Sequence, residues 1–125
     1  MLSPGPSQQI FLATEPVDMR GGFDRLASRV MQAGLDLYAG HLFVFLSKRR
    51  THLKILTHDG TGLVVLYKRL SRSRFVLPEV SPGARTATLD AATLATLLAG
   101  LQVAGLQRSK SNVGPAASID AVLAP

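Results

Sequence analysis

The amino-acid sequence predicts an α+β fold, a small antiparallel meander sheet of about four to five strands packed with two helices. Three observations predict it. Between residues 41 and 78, runs rich in aliphatic, aromatic and β-branched residues are separated by short polar connections, the pattern of strands joined by tight turns. Between residues 23 and 34, apolar residues recur at helical spacing. Between residues 89 and 101, leucines do the same. The chain has 125 residues, 46% of them hydrophobic and 18% charged. That is enough for one buried core and is the composition of a folded domain.

Residues 1–8, MLSPGPSQ, hold two prolines and a glycine and are expected to be a flexible arm. QIFLAT (9–14) reads as a short strand. Pro16 excludes helix at Glu15. Phe23, Leu26, Ala27, Val30, Met31 and Gly34 then line one face of a helix, with Arg25, Ser28, Arg29 and Gln32 opposite and Gly34 as its stop. HLFVFLS (41–47) has the character of a buried strand. HLKILTH (52–58) alternates, with Leu53 and Ile55 on one side and Lys54 and Leu56 on the other. Asp59-Gly60 is a hairpin dipeptide, because glycine accepts positive φ without steric cost. GLVVLYKR (62–69) is the next strand, and SRSRFVLP (71–78) is expected to add a shorter one that Pro78 ends. VSPGART is a linker. LDAATLATLLAGL (89–101) is a helix with Asp90 as N-cap. The single domain therefore spans 9–101, followed by a mostly unstructured tail over 102–125.

Several function classes are excluded at this level. The absence of cysteine rules out disulfides and thiolate metal sites. The three histidines, His41, His52 and His58, stand at strand ends, too scattered to share a metal, so no cofactor is expected. The N-terminus lacks the basic segment of a signal peptide, and no apolar run approaches the roughly 20 residues that span a bilayer. A cytoplasmic, bacterial-type protein is the expectation.

Charge separates one part of the chain from the rest. The formal net charge is +6, and it does not come from the ends. Residues 41–78 contain Lys48, Arg49, Arg50, Lys54, Lys68, Arg69, Arg72 and Arg74 against Asp59 alone. In a meander, alternate turns lie at the same end of the sheet. The turn at 47–51 and the turn at 69–73 would therefore bring Lys48, Arg49 and Arg50 beside Lys68, Arg69, Arg72 and Arg74. Such a rim suits a polyanion, since the planar guanidinium pairs its N–H groups with phosphate oxygens. No helix offers residues at the spacing needed to read bases in a groove.

TEPVDMRGGFDRLA (14–27) is the one stretch with closely spaced carboxylates, Glu15, Asp18 and Asp24. A metal-dependent nuclease would need more acids converging from other elements, and Asp59 is occupied by its turn. The acids have structural roles instead. Asp18 and the pair Gly21 and Gly22 form the approach to the helix, and Asp24 suits its first turn. Arg20 pairs with a neighbouring acid or faces a ligand. No catalytic residue is assigned, and the protein is not expected to be an enzyme.

Five segments in register, LATEPVDMRGGFDRLA, GHLFVF, KRRTHLKIL, DGTGLVVLYKRL and SRFVLP, resemble the accessory protein of the insertion sequence 66 family of bacterial transposable elements, the product of its second reading frame, called TnpB. The resemblance covers about residues 9–101. It implies a small accessory factor acting in DNA recombination beside a separate transposase that carries the chemistry. Thr57 and His58 stand where family members have an aromatic pair, and Val64, Val65 and Leu77 stand where tryptophans are usual. Taken together, the expected function is a non-catalytic accessory protein of transposition. It would bind DNA backbone through Lys48, Arg49, Arg50, Lys68, Arg69, Arg72 and Arg74, with Arg20 as a further contact. The alternative is a protein-interaction module that docks on the transposase of the same element without direct DNA binding.

Overall fold

A computed structural model describes residues 7–100; the expected tail over 102–125 and most of the N-terminal arm lie outside them. The order along the chain is β1 (Ile10–Ala13), α1 (Phe23–Gln32), a 3₁₀ turn (Leu37–Ala39), β2 (Leu42–Leu46), β3 (His52–His58), β4 (Leu63–Arg69), β5 (Thr86–Leu89) and α2 (Ala91–Leu98). The five strands form one sheet in the order β4-β3-β2-β1-β5, mostly antiparallel and packed with two helices, the α+β class expected.

The sheet is buried on both faces because its central strand is apolar on both. Leu42, Val44 and Leu46 of β2 join Leu53, Ile55 and residues of α2 in one core, and Phe43 and Phe45 join Leu56 and residues of α1 in the other. Each fully buried Leu or Phe contributes about 1.5–3 kcal/mol relative to exposure, so β2 is the strand on which both layers depend. In α1, Leu26, Ala27 and Val30 are buried, whereas Phe23 and Met31 at the margins of the apolar face are exposed. Gly34 ends the helix with φ +75°. Its amide donates to the Met31 carbonyl and the Leu35 amide to the Val30 carbonyl, a paired closure that favours glycine.

Three expectations need correction. The first strand does not join the meander: β1 pairs parallel with β2 and antiparallel with β5. The reason is the helix between β1 and β2, a crossover that returns the chain in the same direction. SRSRFVLP is no strand. Ser73 has φ +60°, and Phe75 plugs the α2-side core. The fifth strand is instead Thr86–Leu89, running from the last residue of the expected linker to the first of the expected helix. Helix α2 begins after Asp90, whose carboxylate accepts the Thr93 amide at 2.7 Å, so its N-cap stands as expected. Of the expected arm, Gln8 is tied down, its side-chain amide donating to the Gly40 carbonyl at 2.6 Å.

Candidate nucleic-acid interface

Strand direction divides the molecule into two poles. In the β3–β4 ladder, His52 stands opposite Arg69 and His58 opposite Leu63. The β2–β3 turn and the segment leaving β4 therefore share one pole. Two backbone bonds join them directly: the Leu70 amide donates to the Thr51 carbonyl at 3.0 Å, and the Phe75 amide to the Arg50 carbonyl at 2.7 Å. Lys48, Arg49, Arg50, Arg69, Arg72 and Arg74 on these segments are all exposed, and none forms an ion pair among the described residues. Arg85 is brought to the same pole, since the Thr14 amide after β1 donates to its carbonyl.

The opposite pole carries His58 and Asp59. There Asp59 is occupied by its own turn, accepting from the Thr61 amide and hydroxyl and from the Gly62 amide. These bonds hold its carboxyl below its ordinary pKa.

Two backbone outliers lie in the rim, Arg50 with φ +59° and Ser73 with φ +60°. Glycine takes that conformation freely, whereas other residues are strained there. The turn keeps arginine at Arg50, where the Arg50 amide closes on the Ser47 carbonyl at 2.9 Å.

Lys68 does not join the rim. Its position in the β3–β4 ladder directs it to the α2 face, where Nζ donates to the Leu98 carbonyl at 2.7 Å. The ammonium satisfies a carbonyl at the C-terminus of α2, the end of a helix that favours cations. Burial lowers its pKa. The sequence offered one clue, the alternation that puts Lys68 on the same side as Leu66.

Arg20 is exposed, with 91% of its side-chain surface open, but it is paired. Its guanidinium meets both Asp18 oxygens, at 2.8 Å for the shorter bond. Hydrogen bonding by the Arg20 side chain, then by its amide, holds the Asp18 carboxyl far below the ordinary range. Asp18 does not cap α1 with its side chain. Its carboxylate accepts the Arg20 amide and its carbonyl accepts the Gly21 amide, shaping the turn that delivers Gly22 to the N-cap position.

What anchors this approach to α1 is a residue that sequence reasoning counted only as charge. Lys54 is 8% exposed, and its Nζ donates to the carbonyls of Met19 and Gly21 at 2.8 and 2.9 Å. The same ammonium lies 4.8 Å from the centroid of the Tyr67 ring on the neighbouring strand, within cation–π range. Tyr67 is 55% exposed, and the His52 ring lies 5.8 Å from it at a 36° tilt. Between these rings and the 16–19 loop is a shallow depression of about 500 Å³, with Lys48 and Arg49 on its border. A second groove of about 540 Å³ lies between α1 and the β1–β2 region, floored by Phe11 and Phe43 and bordered by Glu15, Arg29 and Arg85. Its charges are mixed, and it stands apart from the β2–β3 turn.

Among the described residues, no helix is long and apolar enough to cross a membrane. No solved structure matches the chain. It is similar to two uncharacterized proteins of Sinorhizobium fredii. One, y4hO, is 39% identical over 102 residues, covering 81% of this chain and 87% of the relative. The other, y4jC, is 36% identical over 109 residues, covering 86% and 92% respectively. The model of the IS66 Orf2-like proteins matches residues 8–108, reaching past the boundary expected at 101. The chain therefore belongs to the IS66 Orf2-like family, the accessory proteins of insertion-sequence transposition.

Proposed function

We propose that this protein is a non-catalytic accessory factor that binds the DNA backbone through its basic pole while the transposase of the same element performs the chemistry. The observation that carries this reading is the joining of the two basic segments by the Phe75-to-Arg50 and Leu70-to-Thr51 backbone bonds. Six cations, Lys48, Arg49, Arg50, Arg69, Arg72 and Arg74, are thereby gathered with no ion pair to an acid among the described residues, Asp18 beside Lys48 and Arg49 being paired with Arg20. A patch of one sign raises the local concentration of a polyanion and releases its counterions on contact. The non-catalytic reading is supported by the engagement of Asp18 with Arg20 and of Asp59 with its turn.

Fluorescence anisotropy of a labelled duplex, titrated at several salt concentrations, tests it. Neutralising about four phosphates gives a log–log slope of roughly −3 to −4. The Arg49→Ala, Arg50→Ala, Arg72→Ala triple variant should bind more weakly and with a shallower slope. Absence of binding by the wild type near 50 mM salt, where backbone binding is strong, would overturn the reading. A second reading is docking on the transposase itself. It is favoured by the groove beside α1, whose floor of Phe11 and Phe43 and mixed-charge border of Glu15, Arg29 and Arg85 suit a partly apolar protein segment.

A further inference from the structure

The depression beside the rim has a composition that phosphate binding does not explain. Tyr67 lies on an edge strand, more than half exposed, with the His52 ring tilted beside it. Val17 and Met19 add apolar surface, Lys48 and Arg49 stand on the border, and the one acid of the lining, Asp18, is paired with Arg20. The Tyr67 ring is also held in position. Lys54, fixed by the Met19 and Gly21 carbonyls, lies 4.8 Å from its centroid, so little ordering remains to be done on binding. An aromatic surface a short distance from exposed cations matches one nucleotide, with its base on the ring and its phosphate on the arginine or lysine. In a continuous duplex the faces of the bases are covered by their neighbours, and this arrangement cannot be used. We propose that the depression receives an unpaired base stacked on Tyr67, and that the preferred ligand of the basic pole is single-stranded DNA. The inference rests on the reading of that pole as a backbone-binding surface.

The test compares labelled oligothymidylate of about 15 nucleotides, within the span that such surfaces cover, with a duplex of the same length. Wild type, Tyr67→Ser, Tyr67→Phe and the rim triple variant are titrated at matched salt, with urea unfolding of each to verify the fold. The single strand should bind more tightly than the duplex. Tyr67→Ser should weaken single-strand binding about 10-fold or more, the loss of one stacked base, with the salt slope and duplex affinity unchanged. Tyr67→Phe should remain near wild type.

The chain has two tyrosines and no tryptophan, so Tyr38→Phe leaves Tyr67 as the source of its tyrosine emission. The single strand should quench that emission. Unaltered single-strand affinity in Tyr67→Ser, an unquenched Tyr67, or tighter binding of the duplex would each overturn the proposal. If the duplex still binds with a salt slope that the rim variant reduces, the backbone reading survives that failure. If the wild type binds neither nucleic acid near 50 mM salt, where backbone contacts are strong, both fall together.

Discussion

The amide of Phe75 donates to the carbonyl of Arg50 at 2.7 Å, tying a residue of the hydrophobic core to a residue of the basic rim. Phe75 is 1% exposed and packs in the α2-side cluster. The segment carrying Arg72 and Arg74 is thus held at the β2–β3 turn by this bond and the buried ring at one end and by the Leu70-to-Thr51 bond at the other, with no ladder of its own.

Phe75→Ala should therefore act on both stability and binding. Truncating a buried Phe costs about 3–5 kcal/mol, which urea unfolding will register as a lower midpoint. Below that midpoint the folded variant should also bind nucleic acid more weakly, because residues 71–74 lose the buried ring that fixes their C-terminal end beside Arg50.

Arg50→Gly separates the two contributions in the opposite way. Relief of the left-handed conformation is worth about 1–2 kcal/mol, offset by about 0.5–1 kcal/mol of extra freedom in the unfolded chain. The midpoint of unfolding should be unchanged or raised, corresponding to at most about 1.5 kcal/mol. One phosphate contact is lost, so the salt slope in anisotropy should fall by about 1. A protein that is no less stable and yet binds more weakly would identify Arg50 as retained for its charge.

How much of this was legible in the sequence depends on the range over which each feature is determined. The Gly34 stop, the Asp59-Gly60 turn and the Asp90 N-cap are settled by a few neighbouring residues, and they read correctly. So did the faces of β3, because a period of two assigns Lys54 and Leu56 to one side whatever the partner. Thr86–Leu89 was not legible, since its strand character comes from pairing with β1, in which Ile10 stands opposite Leu89. SRSRFVLP alternates like a strand, but the chain leaves the open edge of β4 because Ser73 takes φ +60° and Phe75 enters the α2-side core, a tertiary contact that the local pattern does not show. The gathering of cations followed from the meander alone. The departure of Lys68 to the Leu98 carbonyl did not, because it requires knowing that α2 ends above β4.

Lys54→Met keeps the aliphatic stem and removes the ammonium. The carbonyls of Met19 and Gly21 then lose their donor, and an unsatisfied buried polar group costs about 1–3 kcal/mol. The unfolding midpoint should drop accordingly. Hydrogen exchange should accelerate first at the Gly21 amide, which donates to the Asp18 carbonyl within the approach to α1. A uniform change across the sheet, with no preferential loosening at residues 18–22, would count against Lys54 as the anchor of that segment.

Asp90→Ala removes the side-chain cap of α2 and should destabilise the protein by about 1 kcal/mol at neutral pH. The effect should also depend on pH. Hydrogen bonds from the Thr93 side chain and then its amide lower the Asp90 pKa from the ordinary 3.8, because they favour the charged carboxylate. A carboxyl group whose pKa is depressed by folding binds protons more readily in the unfolded chain. Its stabilisation is therefore fully present above the ordinary value and is lost as pH falls through the folded one. The difference in unfolding free energy between wild type and Asp90→Ala should be constant from about pH 5 to 7 and narrow below about pH 4. Asp90→Asn, which keeps an acceptor oxygen but cannot titrate, should retain most of the cap with little such dependence. Urea titrations of the three proteins at stepped pH measure this directly. A difference that persists undiminished at pH values well below 3.8 would mean that the Asp90 side chain acts through packing, not as a charged acceptor for Thr93.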